Sequence, residues 1–277
     1  MRKKSFGLNM LLIFLIGCLC FCGYKLYDSF EEYWQDYLKQ ESVLESANKT
    51  KKINFEKLQK KCPDLVGWIY CKGTRIDYPV VQSQDNKEYL SLGPDKKWSG
   101  AGSIFCDYRT KEPFRDPLTI VYGHHMRDGS MFHCLEDFKK SDYLKKHDTI
   151  HFYTPTGGYK AKIVYTSIIP ALDDAYTADI QTEEDKETLL NNVEKTAVAR
   201  TGESIDTDSN YVMLSTCSYE YNEARAVVMG KLEELTPDEY ANSNLERIKE
   251  HKSKWEVFWM MIWDLLKEAA KDAKDCF

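Results

Sequence analysis

Val66-Gly-Trp-Ile-Tyr70, Ile76-Asp-Tyr-Pro-Val-Val81, Gly102-Ser-Ile-Phe105, Leu118-Thr-Ile-Val-Tyr122, Thr149-Ile-His-Phe-Tyr153, Tyr159-Lys-Ala-Lys-Ile-Val-Tyr165, Tyr211-Val-Met-Leu-Ser-Thr216 and Arg225-Ala-Val-Val-Met-Gly-Lys-Leu232 decide the fold. Each run is short, rich in β-branched and aromatic residues, and bounded by turn formers. Eight such runs, with few helical stretches between them, predict a closed β-barrel or sandwich rather than a βαβ sheet. Two helical inserts are expected. One is Met131 to Leu144. The other is Thr182 to Ala197, where Thr182 and Asp185 have the spacing of a capping box.

Outward from this β-rich core, both flanks read as helix. Residues 28 to 61 carry Phe30, Trp34, Tyr37, Leu38 and Leu44 on one face. A charged hinge, Ser46 to Lys52, separates them from a second helix, Asn54 to Lys61, that Pro63 ends. The tail from Pro237 is helical again. Trp255, Phe258, Trp259, Ile262, Leu266 and Ala269 mark one face of it. Such a helix packs on the domain or on a partner chain, or lies on a membrane surface. Acidic Asp264, Glu268, Asp272 and Asp275 favour packing.

The N-terminus begins with basic Met1-Arg-Lys-Lys4, and Leu8 to Tyr24 is then apolar except for Asn9. Seventeen helical residues span roughly 25 Å, and no small-residue cleavage site follows, so the run predicts an uncleaved membrane anchor rather than a removed signal. Acidic Asp28, Glu31 and Glu32 come after it, which sets Met1 in the cytoplasm and the rest of the chain outside the cytoplasmic membrane. The expected organisation is therefore 1–27 as basic start and anchor, 28–61 as N-terminal helices, 62–236 as β-barrel and 237–277 as a C-terminal helical extension.

Composition narrows the function. The 277 residues are 43% hydrophobic and 30% charged, which excludes a mostly disordered chain. The 38 Lys+Arg against 44 Asp+Glu give a net charge of −6, without the basic footprint that nucleic acid needs. The nine cysteines include no C-x-x-C pair, so a zinc ribbon has no support. Cys18, Cys20 and Cys22 crowd into the apolar run, where they face lipid or are acylated. Cys62 and Cys71 are either paired or free.

Three features carry chemistry: Tyr122-Gly-His-His-Met126 and Leu214-Ser-Thr-Cys217, each ending an apolar run, and Arg225, which starts the next. A thiol at a strand end beside an imidazole becomes an activated nucleophile. A guanidinium stabilises the oxyanion that forms when the sulfur attacks an amide carbonyl. Taken singly, each has a plainer explanation: a buried cysteine, a structural histidine, a surface arginine. His124, His125, His133 and Cys134 lack the spacing of a metal site.

In combination the motifs resemble the sortases, membrane-anchored cysteine transpeptidases of Gram-positive bacteria, and within them class B. The T-L-x-T-C signature is similar to Met213-Leu-Ser-Thr-Cys217, with Met in place of the first Thr. Y-G-H-[HN] is similar to Tyr122-Gly-His-His125. Asn54-Phe55, Pro63 to Ile69, Tyr78 to Gln82, Asp85-Asn86, Tyr89-Leu90, Gly102 to Phe105 with Asp107, and Ser130-Met-Phe132 extend the likeness over residues 53 to 234. The resemblance implies a mainly β fold with helical additions: an eight-stranded β-barrel with N-terminal helices and one helix between strands six and seven. It implies Cys217 as nucleophile, His124 as general acid/base and Arg225 as carbonyl stabiliser. It also implies that Asn86, Leu90, Tyr176, Ser215 and Thr216 bind substrate. No cofactor and no metal are expected. The implied partners are secreted proteins with a C-terminal sorting signal of N-P-x-T-x type, and an amine of a peptidoglycan precursor or a pilin. A hydrolytic cysteine peptidase acting on peptidoglycan, and a catalytically inactive membrane-tethered binding module, are the alternatives.

Overall fold

The β-rich runs form strands β1 (Leu65–Tyr70), β2 (Asp77–Gln82), β3 (Ile104–Cys106), β4 (Leu118–Tyr122), β5 (Thr149–Thr154), β6 (Gly157–Pro170), β7 (Ala197–Arg200), β8 (Tyr211–Ser218) and β9 (Ala224–Glu234). This computed structural model describes residues 53–170, 180, 182–218 and 224–250. In the flanks it describes positions 10, 12–21, 23–25, 27, 28, 31, 35, 256, 259, 260, 262–264, 266 and 267.

The strands hydrogen-bond in the order β5-β1-β2-β3-β4-β8-β9-β6, and β5 pairs with β6 to close an eight-stranded barrel. The barrel is mixed, because β2–β3 and β4–β8 are parallel while the other pairs are antiparallel. Closure leaves no long free edge. The short β7 lies outside the closed ring, on the far half of β6.

Alternation along each strand separates two faces. Ile69, Val80, Val121, Phe152, Ile163, Val212, Leu214 and Val228 fill the barrel interior. On the outside of β4, β8 and β9, Leu118, Ile120, Met213, Val227 and Met229 pack under a helix. Elsewhere outside, Trp68, Val81, Phe105 and Tyr153 pack under Ile53, Phe55, Leu58 and Tyr240.

The helices cover these outer patches. Asn54 caps α1 (Phe55–Gln59), its side chain accepting from Lys57 N–H at 2.9 Å. α2 is Ser141–Lys146. In α3 (Glu183–Lys195) both hydrogen bonds of the Thr182–Asp185 capping box are made, and Leu189, Leu190 and Val193 face the barrel. Thr236 and Glu239 form a second capping box at α4 (Pro237–Glu250), with Pro237 at its first position.

α4 buries Arg247, which is 1% exposed, against β1 and β2. Its guanidinium carbon lies 5.2 Å from the Trp68 ring centre, and its Nη1 pairs with Asp77 at 3.3 Å. Trp68 Nε1–H donates to the same Asp77 oxygen at 2.6 Å.

Three expectations need correction or completion. The single helix expected over Met131 to Leu144 is two pieces, a 3-10 helix His133–Lys139 and α2, because Lys140 is extended (φ −86°, ψ 119°). The helix expected to reach Ala197 ends at Lys195, and Ala197 opens the unforeseen β7. Cys62 and Cys71 are both buried, and no disulfide joins them to each other. Most of 28–52, together with Trp255, Phe258 and Ala269, falls outside the described residues. Residues 12–21 are helical with exposed apolar side chains. Among the described residues, no helix is long and apolar enough to cross a membrane.

Candidate active site

The sheet order brings the chemistry-bearing strand ends side by side. β4 runs parallel to β8, with Tyr122 level with Ser215, and Gly123 N–H continues the ladder by donating to Ser215 C=O at 3.2 Å. His124 follows two residues after the last paired residue of β4, and Cys217 lies two residues beyond Ser215 on β8, so both stand at the same end of this strand pair. β8 runs antiparallel to β9, with Cys217 directly opposite Arg225. Directly opposed residues share a face of the sheet. The row His124, Cys217, Arg225 thus lies at one end of three neighbouring strands.

The alternation identifies which face this is. Met213 and Met229 belong to the outer cluster under α3, and Cys217 and Arg225 share their parity. The row therefore belongs to the outside of the barrel wall. One step along the strands on the same face come Tyr122, Ser215 and Val227. Ser215 is 1% exposed and forms part of this floor. Thr216 has the opposite parity, on the interior row with Val212 and Leu214.

Gly123 is required where it stands. A Cβ there would collide with Ile104 and would sit 2.8 Å from the Phe132 ring. Only a glycine lets the chain turn tightly over the core before presenting His124. The His124 ring Nε2 lies 2.8 Å from Leu90 C=O. A carbonyl oxygen only accepts, so Nε2 carries the hydrogen and, in the neutral ring, Nδ1 holds the lone pair. Leu90 closes the 3-10 turn Glu88–Leu90, and its side chain is exposed. Gly102, at φ +60°, passes so close that a Cβ would sit 2.8 Å from the same carbonyl.

Asn86 sits in a polar network rather than standing free. Its amide donates to Asp107 Oδ2 at 2.9 Å and its carbonyl accepts from Tyr108 N–H at 3.0 Å. Asp107 is fully buried and also accepts both arms of Arg109 and the Tyr122 hydroxyl. Burial pushes the Asp107 carboxyl up, but the Arg109 and Asn86 hydrogen bonds outweigh it and hold the group below the ordinary range. Asp107 thus links the Asn86 turn to the strand that delivers His124. Sequence reasoning placed Asp107 among the matching residues but gave it no role.

His125 pairs with Met131 in an isolated bridge, and its ring lies 4.3 Å centre to centre from that of His133, tilted by 38°. Among the described residues, no group of three or more His, Cys, Asp or Glu is placed to hold a metal ion. Three other thiols, Cys62, Cys106 and Cys134, are buried, which disfavours their thiolates. Burial raises Cys62 to about 11 and Cys134 to about 12, and raises Cys106 further. Tyr176 lies outside the described residues.

Residues 69–233 match the family model described as Sortase domain. Sortase B of Staphylococcus aureus is 30% identical over 84% of this chain and 98% of its own length. Sortase B of Listeria monocytogenes is 32% identical over 84% of this chain and 99% of its own length. The solved S. aureus sortase B–substrate complex superposes with a TM-score of 0.67, at 29% identity, over 74% of this chain and all of that one. The chain belongs to the sortase family, whose members are cysteine transpeptidases. Its relatives are of class B, and its eight-stranded mixed barrel with added helices matches theirs.

Proposed function

We propose that this sortase is anchored in the cytoplasmic membrane and works on its outer face. It cleaves secreted proteins at a C-terminal sorting motif of N-P-x-T-x type, between the Thr and the next residue. The acyl group then passes to an amine of a peptidoglycan precursor or a pilin. The observation that carries the mechanism is the register that sets Cys217 opposite Arg225 with His124 on the neighbouring strand end.

The Cys217 sulfur attacks the Thr carbonyl carbon, and the thiol proton goes to His124 Nδ1. The electron pair moves onto the carbonyl oxygen, which Arg225 stabilises. Collapse breaks the C–N bond, and His124 returns the proton to the departing amine. The acceptor amine then attacks the thioester carbon, its proton passes to His124, and the Cys217 thiol is restored as the new amide forms. In this reading Asn86, Leu90, Ser215 and Thr216 bind the peptide, as does Tyr176, which lies outside the described residues. That the S. aureus relative is solved with a substrate supports peptide recognition on this fold.

Cleavage of a fluorogenic N-P-x-T-x peptide, with an amine acceptor present, tests the reading. Cys217→Ala and His124→Ala should abolish turnover, and Arg225→Lys should lose about 10²- to 10³-fold in kcat, because an ammonium lacks the guanidinium fork. Product analysis should show a new amide. Free acid alone would favour the hydrolytic alternative, and full turnover by Cys217→Ala would end the mechanism. The anchor reading rests on the basic start and on Leu8 to Tyr24. Recovery of the chain in the membrane fraction, with its barrel open to protease on intact cells, checks it.

A further inference from the structure

The loop that begins with His124 is built as a closed unit. Phe132 N–H donates to His124 C=O at 3.0 Å, His125 bridges Met131, and Gly129 N–H donates to Met126 C=O at 3.0 Å. Asp128 Oδ1 accepts from both Ser130 N–H and Ser130 Oγ–H. Met131 is held at φ 55°, a left-handed backbone that a long side chain avoids, while its N–H donates to the Tyr78 hydroxyl at 3.0 Å. Such a conformation persists only where the surroundings over-determine it.

Part of those surroundings comes from the far end of the chain. Arg75, between β1 and β2, donates from Nη1 to Asp128 C=O at 2.5 Å. Its Nη2 pairs with Asp264 Oδ2 at 2.8 Å, with both side chains less than a quarter exposed. The loop apex rests directly on this pair. A Cβ on Gly129 (φ +77°) would sit 2.5 Å from Asp264 Oδ2 and 3.0 Å from Arg75 Nη1. The C-terminal extension thus reaches the loop that carries His124 through one arginine fork.

We propose that Asp264 and Arg75 are positioning residues for the transpeptidation step. The extension, through Asp264, orients Arg75, and Arg75 holds the 124–132 loop so that His124 keeps its place beside Cys217. The proposal rests on the role given to His124 above. It makes the tail a component of the active site's support rather than an appendage.

Hydrogen exchange and kinetics on full-length Asp264→Asn test it. Exchange at the Phe132 amide should speed up, and kcat should fall about tenfold or more with KM within about twofold. The acid limb of the kcat/KM–pH profile should move. Asp264→Glu should restore much of the rate, and Lys267→Ala, which removes a second cation paired with Asp264 on the exposed side, should change nothing. If Asp264→Asn fails to fold, Arg75→Lys keeps the charge, loses the fork and reports the same quantities. Unchanged exchange would overturn the clamp. Faster exchange with unchanged kcat and pH profile would overturn the positioning role. If the wild type turns over no sorting peptide, the function reading fails by itself, and the pH dependence of Cys217 alkylation in wild type and Asp264→Asn then decides the inference in place of kcat.

Discussion

Single residues set how the site is held. Asp107 is the clearest case, since one fully buried carboxylate satisfies Asn86, Arg109 and Tyr122 together. Its carboxyl is depressed below the ordinary value near 3.8. A depressed acid adds stability that is present above the unfolded pKa and is lost as pH falls through the folded one. Asp107→Asn should therefore cost about 2 kcal/mol at neutral pH, and the difference from wild type should shrink below pH ~4. Urea denaturation midpoints at pH 7 and pH 3 check this, and an equal loss at both would refute it. Asp107 escaped a functional reading because an isolated acid after a strand has the pattern of any turn residue. What the sequence offered for Cys217, His124 and Arg225 was their place at the end or start of an apolar run, and the pairing of β8 with β9 sets Cys217 opposite Arg225. The Asp264–Arg75 pair was illegible, since no periodicity links positions so far apart.

At the scale of elements, periodicity found all eight barrel strands, because each pairs an interior row with a packed outer row, but it caught only Tyr159–Tyr165 of the 14-residue β6. β7 was missed for a physical reason. Among Ala197 to Arg200 only Ala199 is buried, so the strand has almost no apolar pattern and is held by its pairing to β6. The helical insert expected over Met131 to Leu144 begins as the 3-10 piece His133–Lys139, where Leu135 and Phe138 are three apart, a spacing that both helix types allow. The α3 cap was readable from Thr182 and Asp185 alone. Thr182→Ala should destabilise that helix by about 1 kcal/mol, seen as faster amide exchange in its first turn. Peptide turnover should hardly change, since α3 meets the barrel through Leu189, Leu190 and Val193. A large loss of turnover would show that α3 also shapes the peptide path.

For the whole molecule, the property that strand patterns could not supply was the order of pairing. Two parallel neighbours, β2–β3 and β4–β8, connect segments distant in the chain, and the second of them creates the His124–Cys217–Arg225 row. α4 completes the opposite wall with Arg247. Arg247→Ala should cost about 3 kcal/mol or more, because it leaves Asp77 without its buried cation. Arg247→Met, which refills the volume against Trp68, should cost less. Thermal denaturation of the two variants checks the order, and equal losses would assign the cost to charge alone.

That wall has a consequence for biogenesis. Trp68 and Asp77 emerge from the ribosome early, while the arginine that seats on them is made 170 residues after Asp77. Until then the indole, packed under Ile53, Phe55 and Leu58, and the carboxylate lack the cation that seats on them, so this wall is complete only after synthesis of α4. A nascent chain stalled before residue 237 should remain open to protease at β1, and one released after residue 250 should resist it.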